Sequence, residues 1–261
     1  VNHWLKSFRD AVIGLAFPQM CVLCAAPIES LDDGVTCAAC WQNMPRAMSE
    51  HRCARCGLPQ YAQRRSADLL SPCSQCREAA FTLLRFVGPY DGALRENLLF
   101  LKHHPHICQR TRAMIMETYQ REDKLHSATR VMPVPLHPLR RKERGFNQAE
   151  LIAQIIARQA KIAFDRQTII RIKHTERHRA GMDARARAKS LAAAFAIRRP
   201  EHIRNQAVLL VDDVFTTGAT LNACSQALLE AGARAVYGFA VARVVGESLV
   251  AGRAKVAGGP A

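Results

Sequence analysis

The sequence predicts an α/β protein carrying a small cysteine-rich module near its N-terminal end. Three observations point there. Eight of the ten cysteines fall into four CxxC pairs between residues 21 and 76. From residue 207 the chain reads apolar run, polar loop, helix, apolar run. A similar unit with a strongly basic loop begins near residue 130.

The length of 261 residues and the 49% hydrophobic content suffice for one main domain with an appended module. Lys and Arg number 37 against 22 Asp and Glu, a formal net charge of +15. Such an excess points to polyanionic partners: phosphates, nucleic acid or an acidic membrane surface.

AVLLVDD, from Ala207 to Asp213, has the Val- and Leu-rich pattern of a buried strand. ATLNACSQALLEAG then reads as a helix ending at Gly232, and VYGFAVARV as the next strand. In β-loop-α-β units of this kind, ligands settle at the carboxyl ends of the strands. The loop here is DDVFTTGAT. Two adjacent carboxylates resist ionising together unless solvent, a metal or hydroxyl partners relieve them. Thr216, Thr217 and Thr220 supply hydroxyls, Gly218 permits a turn other residues resist, and the helix start at Ala219 presents free amides. Together these form a cup for a phosphate. Asp212 and Asp213, just before it, suit the vicinal diol of a ribose 5-phosphate, with or without a magnesium ion. Simple helix capping accounts for one aspartate and not for the whole string.

The upstream unit repeats the logic. RVMPVPL is a strand, residues 137–146 a basic loop, and NQAELIAQIIARQ a helix with Leu151, Ile152, Ile155 and Ile156 on its apolar side. Arg140, Arg141, Lys142 and Arg144 precede Gly145, a set suited to pyrophosphate because guanidinium pairs bidentately with phosphate oxygens. A basic run alone is usually a solvated face, and the place of this one between strand and helix is what marks it. A third basic segment, RIKHTERHRAGMDARARAK, joins the strand QTIIRI to SLAAAFAI. Its length and charge suit a lid over an anionic substrate or a contact with a nucleic-acid backbone.

The cysteine pairs are Cys21/Cys24, Cys37/Cys40, Cys53/Cys56 and Cys73/Cys76. Two residues between thiolates let both sulfurs meet one ion, and a second pair completes a tetrahedral zinc site. Twelve residues separate the first two pairs and sixteen the last two, as in zinc ribbons paired sequentially. An interleaved pairing is the alternative, and the zinc count is one or two. A disulfide framework calls for a secretion signal, which is not seen, and redox CxxC motifs rarely come in fours. Bound zinc folds segments with little core of their own, so the metal is structural. Cys108 and Cys224 lie outside the pairs, and Cys224 sits at helical spacing from Leu221 and Leu228 as a small apolar residue. His103, His104 and His106 occupy a polar, proline-containing loop and are assigned no metal.

The first twenty residues form an amphipathic pattern with Trp4, Leu5, Phe8, Val12 and Phe17 on one face, expected to pack on the protein itself. Their longest apolar run, AVIGLAF, is too short for a membrane span. A cytoplasmic protein is expected.

VLLVDDVFTTGATL resembles the phosphoribosyl pyrophosphate (PRPP) signature of type I phosphoribosyltransferases, which have a mostly parallel α/β fold. The resemblance implies that Asp212 and Asp213 contact ribose hydroxyls, that Thr216, Thr217, Gly218, Ala219 and Thr220 bind the 5′-phosphate, and that Mg²⁺ accompanies PRPP. In 6-oxopurine enzymes an aspartate base stands where Thr216 stands here, so purine salvage by that route is not expected.

Taken with the cysteine pairs, YDGALRENLLFLK and VPLHPLRRKERGFNQAELIA, the chain resembles the ComF family of competence proteins over residues 20 to 245, including its GntX-like members. The expected organisation is an amphipathic helix over 1–20, a double zinc ribbon over 21–80, a phosphoribosyltransferase-like domain over 81–246 and a disordered tail over 247–261. The resemblance covers the two middle parts. It implies PRPP handling, single-stranded DNA and competence-machinery proteins as partners, and a role in DNA uptake. Within the lid the family's T-x-x-Q…L…R…N…AF stretch is altered, with Arg179, Met182 and Ser190 at the Gln, Leu and Asn positions. A transferase with an unidentified acceptor and a non-catalytic DNA-binding or PRPP-sensing module are the two functional alternatives.

Overall fold

The computed structural model describes residues 18–44, 52–59, 72–173 and 193–246, together with Val12. The expected N-terminal helix (apart from Val12 and residues 18–20), most of the basic lid and the C-terminal tail lie outside the described residues.

The centre is a five-stranded sheet in the order β1-β7-β6-β2-β3, with every neighbouring pair parallel. Its strands are β1 (Leu83–Pro89), β2 (Arg130–Pro133), β3 (Ala163–Phe164), β6 (Ala207–Phe215) and β7 (Ala235–Arg243). β4 (Ile169–Arg171) and β5 (Phe195–Ile197) form a separate antiparallel pair. The helices are α1 (Ala38–Gln42), α2 (Gly92–Phe100), α3 (Gln109–Gln120), α4 (Pro138–Arg144), α5 (Gln148–Ala160) and α6 (Ala219–Glu230). No described helix is long and apolar enough to cross a membrane.

Both faces of the sheet are covered, which is why its central strand reads as an unbroken apolar run. Ala207 to Val211 have no exposed surface, and their side chains alternate between two cores. Leu209 and Val211 join Leu94 of α2, Ile115 of α3 and Ile152 and Ile156 of α5. Val208 and Leu210 join Leu221, Cys224 and Leu228 of α6 and Ile169 and Phe195 of the β4–β5 pair.

The cysteine-rich segments are built into these cores. Trp41 of α1 packs in the first, and its indole nitrogen donates to the Asp33 carbonyl at 2.9 Å. Asn97 of α2 accepts from the Val35 amide at 3.2 Å and donates to Thr36 Oγ1 at 3.0 Å. Cys53, Cys56, Cys73 and Cys76 belong to the second core, and Leu84 of β1 donates its amide to the Arg55 carbonyl at 2.8 Å.

The expected strands and helices around the two loops are present, with two corrections. β6 continues two residues past Asp213, where the expected strand ends, to Phe215, so the loop proper is Thr216–Gly218. Pairing with β7 carries it that far, since Asp212 stands opposite Ala240 and Phe215 opposite Arg243. Residues 138–144 form a short helix where a basic loop was expected, opened by Pro138 at its first turn and closed by Gly145 in the left-handed conformation.

Candidate anion-binding site and metal centres

The carboxyl end of β6 carries the acidic pair, whose two side chains lie close enough to interact with each other. Each carboxylate takes one backbone amide: Asp213 N–H donates to Asp212 Oδ1 at 2.9 Å, and Val214 N–H to Asp213 Oδ1 at 2.8 Å. Burial, and then the neighbouring Asp213 charge, push the Asp212 carboxyl well above the ordinary range, and the cation of Arg171 on β4 opposes them only in part. Asp212 thus stands on the α6 side of the sheet, where its charge also reaches the buried Cys224 thiol. Cys224 packs as expected, with no exposed surface, but under an acid instead of among hydrocarbon alone.

After Phe215 the chain turns through Thr216 and Thr217 into Gly218, which has φ +78° and caps α6 without a side chain. Thr217 Oγ1 receives the Ala219 amide at 3.4 Å. No bond from the amides of Thr216, Thr217 or Gly218 is found among the described residues, and the Thr216 and Thr217 side chains face solvent. These amides and hydroxyls lie at the positive end of α6, a few residues beyond the two carboxylates.

The basic residues of α4 do not all converge there. Arg140 lies near enough to Arg171 for its charge to depress the latter, after burial, while the Asp212 charge acts on Arg171 in the opposite sense. Arg141 pairs with the buried Glu150 of α5 at 3.0 Å, and Arg144 donates to Gln148 Oε1 at 3.2 Å. Lys142 and Gly145 are exposed. Nε2 of the buried Gln148 has no partner among the described residues.

Arg141 instead borders an open cleft of about 400 Å³, lined also by Arg166, Gln167, Ile170, Arg198 and Arg199. Glu150 binds Arg166 as well, at 2.7 Å, so one buried acid holds two of the cleft's four arginines. Arg198 and Arg199 have no acidic partner among the described residues. Asp165 anchors the adjoining turn: it accepts from the Gln167 and Thr168 amides at 2.9 and 3.0 Å, from Thr168 Oγ1 at 2.6 Å, and meets His202 Nδ1 at 3.2 Å. Burial alone would push this carboxyl up, but the Thr168 hydroxyl, the two amides and His202 outweigh it and hold it at about 2.

The cysteines gather sequentially, Cys21/Cys24/Cys37/Cys40 and Cys53/Cys56/Cys73/Cys76, each set with its sulfurs within 4.8 Å of one another. The interleaved alternative is therefore excluded. All ten cysteines are free thiols. Sulfurs around a tetrahedral zinc at about 2.3 Å stand about 3.8 Å apart. The closest pairs here are 3.6 Å for Cys24–Cys37, 3.7 Å for Cys21–Cys40, 3.6 Å for Cys53–Cys76 and for Cys73–Cys76, and 3.5 Å for Cys56–Cys73. Both sets fit a structural zinc with four protein ligands. They differ in depth: the second is wholly buried, whereas Cys24 of the first is exposed and Cys40 half-buried. The histidines of KHHPH lie in neither set; His104 stacks on Phe100 with ring centroids 4.1 Å apart.

Sequence reasoning missed Arg171, Arg243, Phe215, Glu150 and the pair Arg198/Arg199 as parts of these sites. A lone arginine inside or closing an apolar strand, as in TIIRI and VYGFAVAR, was the available signal for the first two.

A parallel sheet with an acidic strand end running into a hydroxyl-rich glycine turn, joined to two Cys₄ centres, defines a double-zinc-ribbon protein with a phosphoribosyltransferase-type domain. The double zinc ribbon domain family matches residues 12–80 and the phosphoribosyl transferase domain family residues 147–250. The chain belongs to the ComF family of competence and DNA utilization proteins. It is 30% identical over 240 residues to DNA utilization protein YhgH of Salmonella typhimurium, covering 88% of this chain and 100% of that one. Competence protein F of Haemophilus influenzae is 29% identical over 237 residues, 87% of this chain and 98% of that one. Competence protein ComFC of Bacillus subtilis is 26% identical over 217 residues, 81% and 85% of the two chains.

Proposed function

We propose that the chain binds PRPP with Mg²⁺, or a related ribose 5-phosphate, at the carboxyl end of β6, and that it serves DNA uptake or processing. In this reading Asp212 and Asp213 hold the ribose hydroxyls, residues 216–220 hold the 5′-phosphate, and Arg140 faces the pyrophosphate, with Lys142, Arg144 and Gly145 bordering it. Arg141 has a competing partner in Glu150 and contributes less. Mg²⁺ would neutralise the acidic pair and the pyrophosphate together. The observation that carries the reading is the run of strand, acidic pair, hydroxyl turn and side-chain-free helix cap over residues 207–219. The names of the relatives, competence and DNA utilization proteins, support the cellular role.

Calorimetry with PRPP and Mg²⁺ on the wild type and Asp213→Asn tests the ligand, and pyrophosphate release with candidate acceptors, followed in parallel, separates a transferase from a sensor. Binding in the wild type that falls in the variant supports the reading. Equal affinity in both proteins removes the ribose assignment.

The four-arginine cleft favours a second role for the same protein, as a grip on single-stranded DNA. It is open, offers guanidinium forks to successive phosphates and has no aromatic lining among the described residues, so its contacts would be to backbone and not to bases. Oligonucleotide affinity that drops steeply with salt, and drops further in Arg198→Glu/Arg199→Glu, is the expected result. Salt-insensitive binding, or none, counts against it.

A further inference from the structure

Arg243 ends β7 with 1% of its surface exposed, a charged side chain buried as deeply as the core leucines. Its Nη1 donates to the Cys56 carbonyl at 2.8 Å and its Nη2 to Gln75 Oε1 at 2.9 Å, while Nε has no partner among the described residues. No carboxylate pairs with it among those residues. A buried cation without a counter-charge is strongly unfavourable, so the fold must supply negative charge nearby. The acceptor Cys56 belongs to the second tetrad, and four thiolates around one Zn²⁺ carry a net charge of about −2.

The same guanidinium lies over the Phe215 ring, 4.9 Å from its centroid, and over Phe86 at 5.5 Å. Phe215 also receives the edge of Phe81 and forms the wall against which Gly218 turns. An unbroken line of contacts thus runs from the second metal centre through Arg243 and Phe215 to the glycine turn. Among the described residues the first ribbon has no such line: the arginine beside it, Arg110 of α3, lies over Trp41 at 5.9 Å and pairs with Asp33, on the other face of the sheet.

We propose that Arg243 is the counter-ion of the second zinc tetrathiolate and a positioning residue for the turn at 215–218, so that metal in that centre, and not in the first, keeps the turn shaped to receive an anion. The ligand half of this statement rests on the phosphoribosyl reading; the coupling of metal to turn does not.

The test uses the zinc-loaded full chain as wild type, Arg243→Met, Arg243→Lys and Arg110→Met. Three quantities are followed: the rate at which excess EDTA draws the slower zinc, hydrogen exchange of the amides at 216–219, and affinity for Mg²⁺·PRPP. Arg243→Met is expected to release that zinc about tenfold faster, to speed exchange in the turn, and to weaken PRPP about tenfold. Arg243→Lys keeps the charge but not the fork, so zinc stays held while exchange in the turn still rises. Arg110→Met leaves all three near wild type. Wild-type zinc release and exchange in Arg243→Met overturn the proposal. Should that variant not fold, unchanged exchange in Arg243→Lys overturns it instead. Should the wild type bind no PRPP, the phosphoribosyl reading fails by itself, and the zinc and exchange rates still decide the coupling.

Discussion

Phe215 and Gly218 are pressed together at the end of β6: a Cβ added at Gly218 would lie 2.4 Å from Phe215 Cζ. With φ at +78°, the position is closed to other residues both by backbone conformation and by space. Gly218→Ala is therefore expected to destabilise the fold by about 1–3 kcal/mol and to remove anion binding at the turn. Urea unfolding and PRPP calorimetry on the same sample check both parts. Wild-type values in both would mean the turn relaxes at no cost.

Asp212 is an acid that the ligand-free fold would rather keep protonated. Because its folded pKa is raised, the stability cost is absent below the ordinary carboxyl range near 3.8 and grows as pH climbs toward the raised value. Asp212→Asn should melt higher than wild type at neutral pH, with the gap closing in acid. The same variant should bind Mg²⁺·PRPP about tenfold more weakly, through loss of a charged hydrogen-bond acceptor. Melts across pH and calorimetry read the two opposite effects, and a melting gap that does not vary with pH would sink the burial argument.

The two zinc centres should differ in kinetic stability. Cys24 is exposed, while each cysteine of the second set is buried. A chelator is expected to draw metal in two phases, the fast one from the first set. Colorimetric zinc release on the wild type and on a Cys24→Ser variant checks the assignment, because the fast phase should change in the variant and the slow one should not.

Asp165 makes the opposite pH statement to Asp212. Its folded value of about 2 lies below the ordinary 3.8, so its contribution is fully present above the ordinary range and is lost as pH falls through about 2. The shift corresponds to roughly 2 kcal/mol. Asp165→Asn should cost about that much at pH 7 and flatten the acid limb of the stability curve, measured by urea unfolding between about pH 2 and 6. The turn it anchors, at Gln167 and Thr168, forms one wall of the arginine cleft, so oligonucleotide affinity should fall with it.

Much of this protein was legible in one dimension because the signals are local. CxxC spacing depends on the reach of a tight turn, the Val- and Leu-rich run on burial of both faces of a strand, and the hydroxyl-glycine string on a tight turn into a helix. Each survives in the structure, down to Asn147 capping α5 and Gly218 opening α6. What the chain alone left open were choices between distant partners. Sequential pairing of the cysteines, the division of the α4 arginines between Arg140 beside Arg171 and Arg141 on Glu150, and the burial of Arg243 between a metal centre and two aromatic rings all join residues of different elements. Spacing limits what neighbours can do together, but only packing decides which remote charges come to share one low-dielectric interior.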